Sequence, residues 1–287
     1  MGKDVRTKTE DYIVKEAYLN EHTNCIDKMR WSYSRLSCFE HCQYEFYLNY
    51  IINDDDIYLA EGNFFAEVGS FVHEILAKIF ERTLPPSEAL DYFIDNYADN
   101  VFYTARDTVM QNTYQACIDY FANEDFSWLD KYEVLGVEKE VSCTIGDCSF
   151  VGFIDLLLRD KHDGKIIVVD HKSASYPLKQ NGEVKKNSER SFNSYKKQMY
   201  LYSYAVKQLY GEYPKELWWN HFKEGGKVAK VQFSISEYNS TLQWVTDTID
   251  RIKTEEDFEP SLEFFYCNTL CNFRHSCEYV LSAEWRK

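Results

Sequence analysis

Ile166–Val169 is an uninterrupted apolar run, and Asp170, His171 and Lys172 follow it directly. In an extended strand such a run is apolar on both faces, which reads as a central strand covered from both sides. The surrounding chain agrees. YEVLGVEKEVSCTI (132–145), CSFVGFIDLLLR (148–159) and KIIVVDHK (165–172) read as three strands. The last two are joined by DKHDGK, in which Asp163-Gly164 is a good hairpin turn pair. A polar stretch of about twenty residues comes next, longer than an idle connection. A helix is expected over about 190–209, strands near 215–222 and 228–235, and a helix near 237–254.

Ahead of the strands the pattern is helical. An amphipathic helix is expected from Trp31 to Ile52, with Ser32 or Ser34 as its N-cap. Residues 54–67 carry five acids and no base, as a solvated loop would. Gly69 is expected to open a helix whose apolar stripe is Val72, Ile75, Leu76 and Ile79. Further helices follow near 87–98, with Ser87 as cap, and near 100–122. Residues 1–30 are polar and mixed in charge, read as an arm. The expected fold is an α/β core, a central mixed sheet flanked by helices, with a helical insertion and a Cys-rich C-terminal tail. A single domain is expected over 31–287, with its helical part at 68–128, its core at 131–255 and its tail at 256–287.

Composition narrows the class. Of 287 residues, 45% are hydrophobic and 28% charged, an ordinary globular balance. No apolar run approaches the ~18 residues of a membrane span, and the start MGKDVRTKTEDY is no secretory signal. A cytoplasmic protein is expected. A net charge of −15 speaks against coating nucleic acid non-specifically but leaves room for a local basic groove.

The chemistry centres on two strands. Asp170 and Lys172 are two apart, so their side chains leave one face. Asp155 lies among apolar neighbours in GFIDLLL, a costly place for a carboxylate that is neither paired nor bound to a metal. Two carboxylates on adjacent strands beside a lysine suit a hard cation such as Mg²⁺, which would lower the pKa of a bound water. A D-x-K tripeptide alone reads more readily as a buried or strand-end salt bridge. Glu138 and Glu140 read as solvated strand carboxylates, with a role near the metal as the weaker alternative.

Four motifs in order change that balance: Gly69…His73 on a helix, Gly152…Asp155 on a strand, Asp170-His171-Lys172 on a strand, and Gln198…Tyr202 on a helix. The set, G-x-x-x-H, G-x-x-D, D-x-K and Q-x-x-x-Y, resembles the RecB-like branch of the PD-(D/E)xK nuclease superfamily, from about Trp31 to Tyr279. The resemblance implies a restriction-endonuclease-like core. It implies a divalent ion, Mg²⁺ or Mn²⁺, held by His73, Asp155, Asp170 and the backbone carbonyl of His171. Asp155, Asp170 and Lys172 would be catalytic, and Gln198 and Tyr202 would position substrate or brace the site.

Nine cysteines with no export signal favour thiols or a metal site over disulfides. Cys267, Cys271 and Cys277 fall within eleven residues. A closed site needs a fourth ligand, and Cys42 is the candidate, with Cys38 as a substitute. The stretch from Ser32 to Phe46 resembles the N-terminal motif of an iron–sulfur subset of these nucleases. AddB-type helicase–nucleases and the exonucleases of CRISPR spacer acquisition belong to it. There, one early and three late cysteines hold a [4Fe–4S] cluster. This chain departs from the pattern in having C-x3-C and Gln43, which leaves Zn²⁺ open as an alternative.

Residues 165–197 are the basic part of an acidic chain. Lys179, Lys185, Lys186, Arg190, Lys196 and Lys197 are the expected nucleic-acid contacts, with Phe192 and Tyr195 placed to stack on unpaired bases. The functional expectation is a metal-dependent DNA nuclease, an exonuclease acting on single strands or duplex ends, from phage or prokaryotic DNA processing, with a helicase or recombination partner. The alternative is a non-catalytic DNA-binding or assembly module that retains the fold. A third, weaker reading makes the thiols the function.

Overall fold

The computed structural model describes residues 25–52 and 60–283. Residues 1–24 of the expected arm and 54–59 of the acidic stretch lie outside the described residues. By their internal packing, the described residues fall into two compact units. One draws on the described residues of 25–61, 144–150 and 243–283, the other on Gly62–Cys143 and Val151–Leu242.

Five strands form one mixed sheet in the order of the chain: β1 (Tyr132–Ile145), β2 (Cys148–Asp160), β3 (Ile166–Lys172), β4 (Glu216–His221) and β5 (Lys227–Gln232). β2 and β3 run antiparallel, with Leu156 opposite Val169 and Arg159 opposite Ile166. Their connection turns on Gly164, whose φ of 71° suits the residue expected there. β3 and β4 are parallel from Ile167↔Glu216 to Lys172↔His221. A parallel pair needs a crossover, and the helix Glu189–Tyr210 lies within it.

The double-sided burial expected of β3 is observed. Ile166 and Val168 pack with Met199, Tyr200 and Val206 of that helix. Ile167 and Val169 pack on the other side with Val72, Leu76 and Phe93. This is the restriction-endonuclease-like α/β fold, with helices on both faces and the Cys-rich segment at its C-terminal end.

Several helix limits differ from expectation, each for a local reason. The stretch expected as one helix from Trp31 to Ile52 is α1 (Tyr33–His41), α2 (Gln43–Tyr47) and a wider turn at Leu48–Ile52. Ser32 caps α1 as expected, its hydroxyl accepting from the Arg35 N–H. Cys42 breaks the helix with an extended φ of −151° and caps α2 through its sulfur. α3 (Phe64–Phe80) starts five residues before Gly69, because the Asn63 side chain accepts from the Ala66 N–H at 3.0 Å. Ser87 does not cap: a 3₁₀ turn at Pro86–Glu88 leads into α4 (Ala89–Asn100). α5 (Asp107–Asn123) begins seven residues later than expected. The Glu67 carboxylate accepts from the N–H groups of Phe102 and Tyr103 and holds the intervening backbone out of the helix. The remaining long helices, α6 (Glu189–Tyr210) and α7 (Ile235–Thr254), lie where the pattern placed them. A short α8 covers Glu278–Ser282.

Candidate active site and thiol cluster

The β2–β3 ladder ends at Leu156↔Val169. One more step of the same register would set Asp155 opposite Asp170. Instead the Asp155 carboxylate accepts the backbone N–H of His171 at 2.7 Å, so a side chain replaces the next rung. Asp170 is 2% exposed, and Lys172 Nζ lies 2.8 Å from its Oδ2. The same ammonium donates to Gln198 Oε1 at 3.0 Å, and Gln198 Nε2 donates to the Tyr202 hydroxyl at 3.0 Å. The Tyr195 ring lies 4.8 Å from Lys172 Nζ. The i, i+4 pair on α6 therefore holds the lysine from one side while Asp170 holds it from the other.

His73 reaches the same place from α3. Its Nε2 donates to the His171 carbonyl at 3.0 Å. Its Nδ1 lies 3.6 Å from both Glu138 Oε1 and Asp155 Oδ2. One ligand atom each from His73, Glu138 and Asp155 can be chosen so that all lie within 4.8 Å of one another. The structure thus brings together His73, Asp155, Asp170, Lys172, Gln198, Tyr202 and the His171 carbonyl, all expected from the sequence.

The electrostatics follow from crowding charge at a strand end. Burial, then repulsion from Asp170, pushes the Asp155 carboxyl up to about 7, against the pull of His73 and the His171 N–H. Burial works against an imidazolium at His73, but the Glu138 hydrogen bond and the charges of Asp155 and Asp170 outweigh it and raise its pKa. Burial likewise opposes the Lys172 ammonium, and Asp170 more than compensates. Two carboxylates that repel each other, beside a histidine, leave a place where a cation would relieve the strain.

Glu138 is the residue that sequence reasoning missed. Strict alternation puts Glu138 and Glu140 on one face, but Glu138 has a left-handed φ of 41°. Around it the strand changes sides: Leu135 and Val141 pack with one core and Val137 with the other. A non-glycine residue in that conformation costs of order 1–3 kcal/mol, and here it brings a carboxylate to His73. A glycine two residues earlier is the one signal of irregularity in the sequence.

Two motif glycines separate by environment. A Cβ on Gly152 would lie 2.7 Å from Tyr202 Cε1, whereas one on Gly69 meets nothing within 4 Å. Gly152→Ala is expected to cost about 1–3 kcal/mol by overpacking. Gly69→Ala, inside α3, is expected to gain up to about 1 kcal/mol in helix propensity. Chemical denaturation of the two variants checks the opposite signs.

The basic segment is more neutralised than its composition implies. Lys179 pairs with Glu183 at 2.9 Å and Lys196 with Glu237 at 2.7 Å. Lys185 donates to the Tyr176 carbonyl, Lys186 and Arg190 are exposed, and Lys197 is half-buried. Phe192, expected to stack on bases, is instead 2% exposed and packs edge-on against Trp219. The inward face of an amphipathic helix claims it. Tyr195 is half-buried under Lys172.

In the other unit, Cys42, Cys267, Cys271 and Cys277 line one small apolar cavity of about 20 Å³, with Leu48, Phe273 and Val280 around it. Cys38 does not line it; the Asn49 side chain donates toward its sulfur. Burial pushes the Cys267 thiol up to about 11 and raises Cys271 and Cys277 as well. Glu45 is buried beside them, accepts from the Tyr266 hydroxyl at 2.8 Å, and is raised by burial. Cys25 bonds the Tyr50 carbonyl and Cys117 is buried in a core, as isolated thiols would be.

The family model of the PD-(D/E)XK nuclease superfamily matches residues 30–278. No curated protein matches the sequence. Among solved structures, the chain is similar to the crystal structure of a candidate exonuclease from Eubacterium rectale, at 16% identity over 96% of this chain and 97% of that one, with a TM-score of 0.47. Among the described residues no helix is long and apolar enough to cross a membrane.

Proposed function

We propose, from the premise that this chain belongs to the PD-(D/E)XK nuclease superfamily, that it is a metal-dependent deoxyribonuclease removing nucleotides from single strands or duplex ends. The observation that carries the reading is the convergence of His73, Glu138 and Asp155 beside the Asp170–Lys172 pair. Oxygen donors with one imidazole suit Mg²⁺ or Mn²⁺, and the mutual repulsion of Asp155 and Asp170 is what such an ion would neutralise. His73, Glu138, Asp155 and Asp170 would hold it, with the His171 carbonyl within reach of His73. When bound, a divalent ion supplies Lewis-acid polarisation of the phosphate and a more acidic water.

The chain's own groups do the rest. Lys172, fixed by Asp170 and Gln198, sets a positive charge against the negative charge that develops on phosphorus oxygens. Gln198 and Tyr202 are positioning residues, since they reach the site through that lysine. Lys179, Lys185, Lys186, Arg190, Lys196 and Lys197 would take phosphates of the strand, those now paired as their partners release them. The preference for ends follows the RecB-like resemblance.

The four cysteines around the small cavity, Cys42, Cys267, Cys271 and Cys277, would hold a structural [4Fe–4S] cluster, as the resemblance implies. A tetrahedral zinc site with Zn–S bonds of about 2.3 Å brings its sulfurs to roughly 3.8 Å apart. Among the described residues no three cysteine sulfurs lie within 4.8 Å of one another, so the thiols are not preset for a tetrahedral zinc ion.

The test is degradation of end-labelled single-stranded DNA with Mg²⁺ or Mn²⁺, using free, 5′-blocked and 3′-blocked substrates. Wild type is expected to release mononucleotides or short products only with metal and from a free end. Lys172→Ala is expected to fall by about 10²–10³-fold. Equal activity in the variant, or cutting of closed circles at the same rate, overturns the proposal.

A further inference from the structure

Side chains alternate along β3, so His171 and Val169 point to the face opposite Asp170 and Lys172. On that face lies a second cavity of about 290 Å³, with His171, Asn220 and Trp218 among its lining residues. The hydrolytic reading makes no use of it.

One of its lining residues, His171, carries an unsatisfied donor. Asn220 Nδ2 donates to the Tyr120 hydroxyl at 2.9 Å and to His171 Nδ1 at 3.1 Å. With Nδ1 accepting, the ring's proton is on Nε2, and that buried atom has no hydrogen-bond partner. His171 is 3% exposed and Phe80 stacks on its ring, centroids 5.5 Å apart. The donor is therefore fixed in direction, and leaving its bond unmade is unfavourable. A ligand with an acceptor on its edge recovers it.

The walls are aromatic and the rim is charged. Trp128, Tyr132 and Trp218 meet around the cavity, Tyr132 edge-on to Trp218 at 5.6 Å. The face of Trp218 is covered by Lys230, whose Nζ sits 3.7 Å above the ring centroid. Lys230 is exposed, as is Lys131 on the same cavity, so the lysine can swing away and leave the indole face to a planar guest. Glu124 adds a carboxylate acceptor. Two lysines argue against a cationic guest, and aromatic walls argue against a bare anion.

We infer that this cavity is a binding site for a nucleoside monophosphate, separate from the candidate active site. The base replaces Lys230 on Trp218 and accepts from His171 Nε2; Lys131 and the displaced Lys230 take the phosphate; Glu124 accepts from an amino or hydroxyl group. The volume sits at the small end of ligand pockets, which admits one nucleotide and not a strand. The inference does not depend on the hydrolytic reading, because it needs no metal and no bond cleavage.

The experiment uses the full chain with excess chelator, so that no ion can recruit phosphate to the carboxylates. Adenosine monophosphate, adenosine and inorganic phosphate are titrated by calorimetry and by quenching of tryptophan fluorescence. The monophosphate is expected to bind saturably, at least tenfold more tightly than either fragment. The Lys131→Ala/Lys230→Ala double variant, altered only at exposed positions, is expected to lose at least tenfold for the monophosphate while binding adenosine as well as wild type does. No saturable binding of the monophosphate, equal affinity for inorganic phosphate, or an unchanged double variant overturns the assignment.

Discussion

Asp155→Asn is expected to abolish DNA hydrolysis and, in the same protein, to raise the midpoint of unfolding when metal is absent. Activity should fall about 10³-fold or more, the several kcal/mol that a bound cation contributes. The stability effect has the opposite sign because Asp155 is poorly placed as an anion. Its carboxyl is pushed from 3.8 to about 7, by burial first and by Asp170 second. At 1.36 kcal/mol per unit, ionising it in the folded chain at high pH costs on the order of 2–4 kcal/mol. The asparagine keeps an oxygen for the His171 N–H, which Asp155 accepts at 2.7 Å, and removes the charge. The wild type is then expected to be the less stable of the two, the usual exchange of stability for function if the site holds an ion.

The pH dependence follows from the same shift. A raised carboxyl pKa means that the folded chain holds a proton the unfolded chain has lost, so stability falls as pH rises from about 4 to about 7. His73 acts in the same sense: its pKa is raised, so its contribution is complete below the ordinary histidine value and is lost as pH climbs through the raised one. Metal-free wild type should therefore melt lower at about pH 8 than at about pH 5, with a shallower slope in Asp155→Asn. Mn²⁺ should stabilise the wild type more at about pH 8 than at about pH 6, since protons and cation compete for the same atoms. Thermal denaturation in chelator and in Mn²⁺ checks both. An Asp155→Asn chain that degrades DNA, or that melts below wild type in chelator at about pH 8, contradicts the assignment.

What could be read in advance follows the kinds of force involved. The limits of β1 were legible because a strand is marked by its turn, and Gly146 with φ 58° follows Ile145 directly. The burial of β3 on two faces was legible because four apolar residues in a row leave no polar face. His73 was assigned by motif, not by pattern, since helical periodicity alone places it next to an apolar stripe. Glu138 was illegible because its position depends on one residue adopting a left-handed φ, which alternation cannot anticipate. Phe192 was misassigned for the reverse reason: charge around it suggested a surface, and the packing of α6 on Trp219 decided otherwise. Helix starts failed where a side chain from elsewhere in sequence, such as Glu67 at Phe102 and Tyr103, took over the backbone donors.

The other large effect is expected at the cysteines. Protein purified without oxygen should carry iron, with the visible absorbance of an iron–sulfur centre. Serine at Cys42, Cys267, Cys271 or Cys277 should remove the iron and render the segment around α8 and its preceding turn sensitive to protease, while Cys38→Ser keeps both. The reason lies in what the thiols cost without a metal. Burial raises Cys267 to about 11 and raises Cys271 and Cys277 too, so all are protonated near neutral pH. Sulfur ligands bind as thiolates, so cluster insertion must supply the free energy of deprotonation as well as of folding the cavity. For comparison, structural zinc in small domains contributes about 10–16 kcal/mol. A set with three thiolates loses much of that. It leaves the packing of Phe273 and Val280 with Tyr44 and Leu48, and the Tyr44–Glu278 and Tyr266–Glu45 hydrogen bonds, to hold a region where Phe264, Phe265 and Leu281 are all more than half exposed. Glu45 sharpens the test. Its buried carboxyl is raised and held by Tyr266, and it adds negative charge beside thiolates, so Glu45→Gln should retain iron and lose it more slowly to a chelator. Colourless protein holding one zinc per chain would replace the cluster by a zinc site. Folded, protease-resistant protein with neither metal would leave four buried thiols and no cofactor.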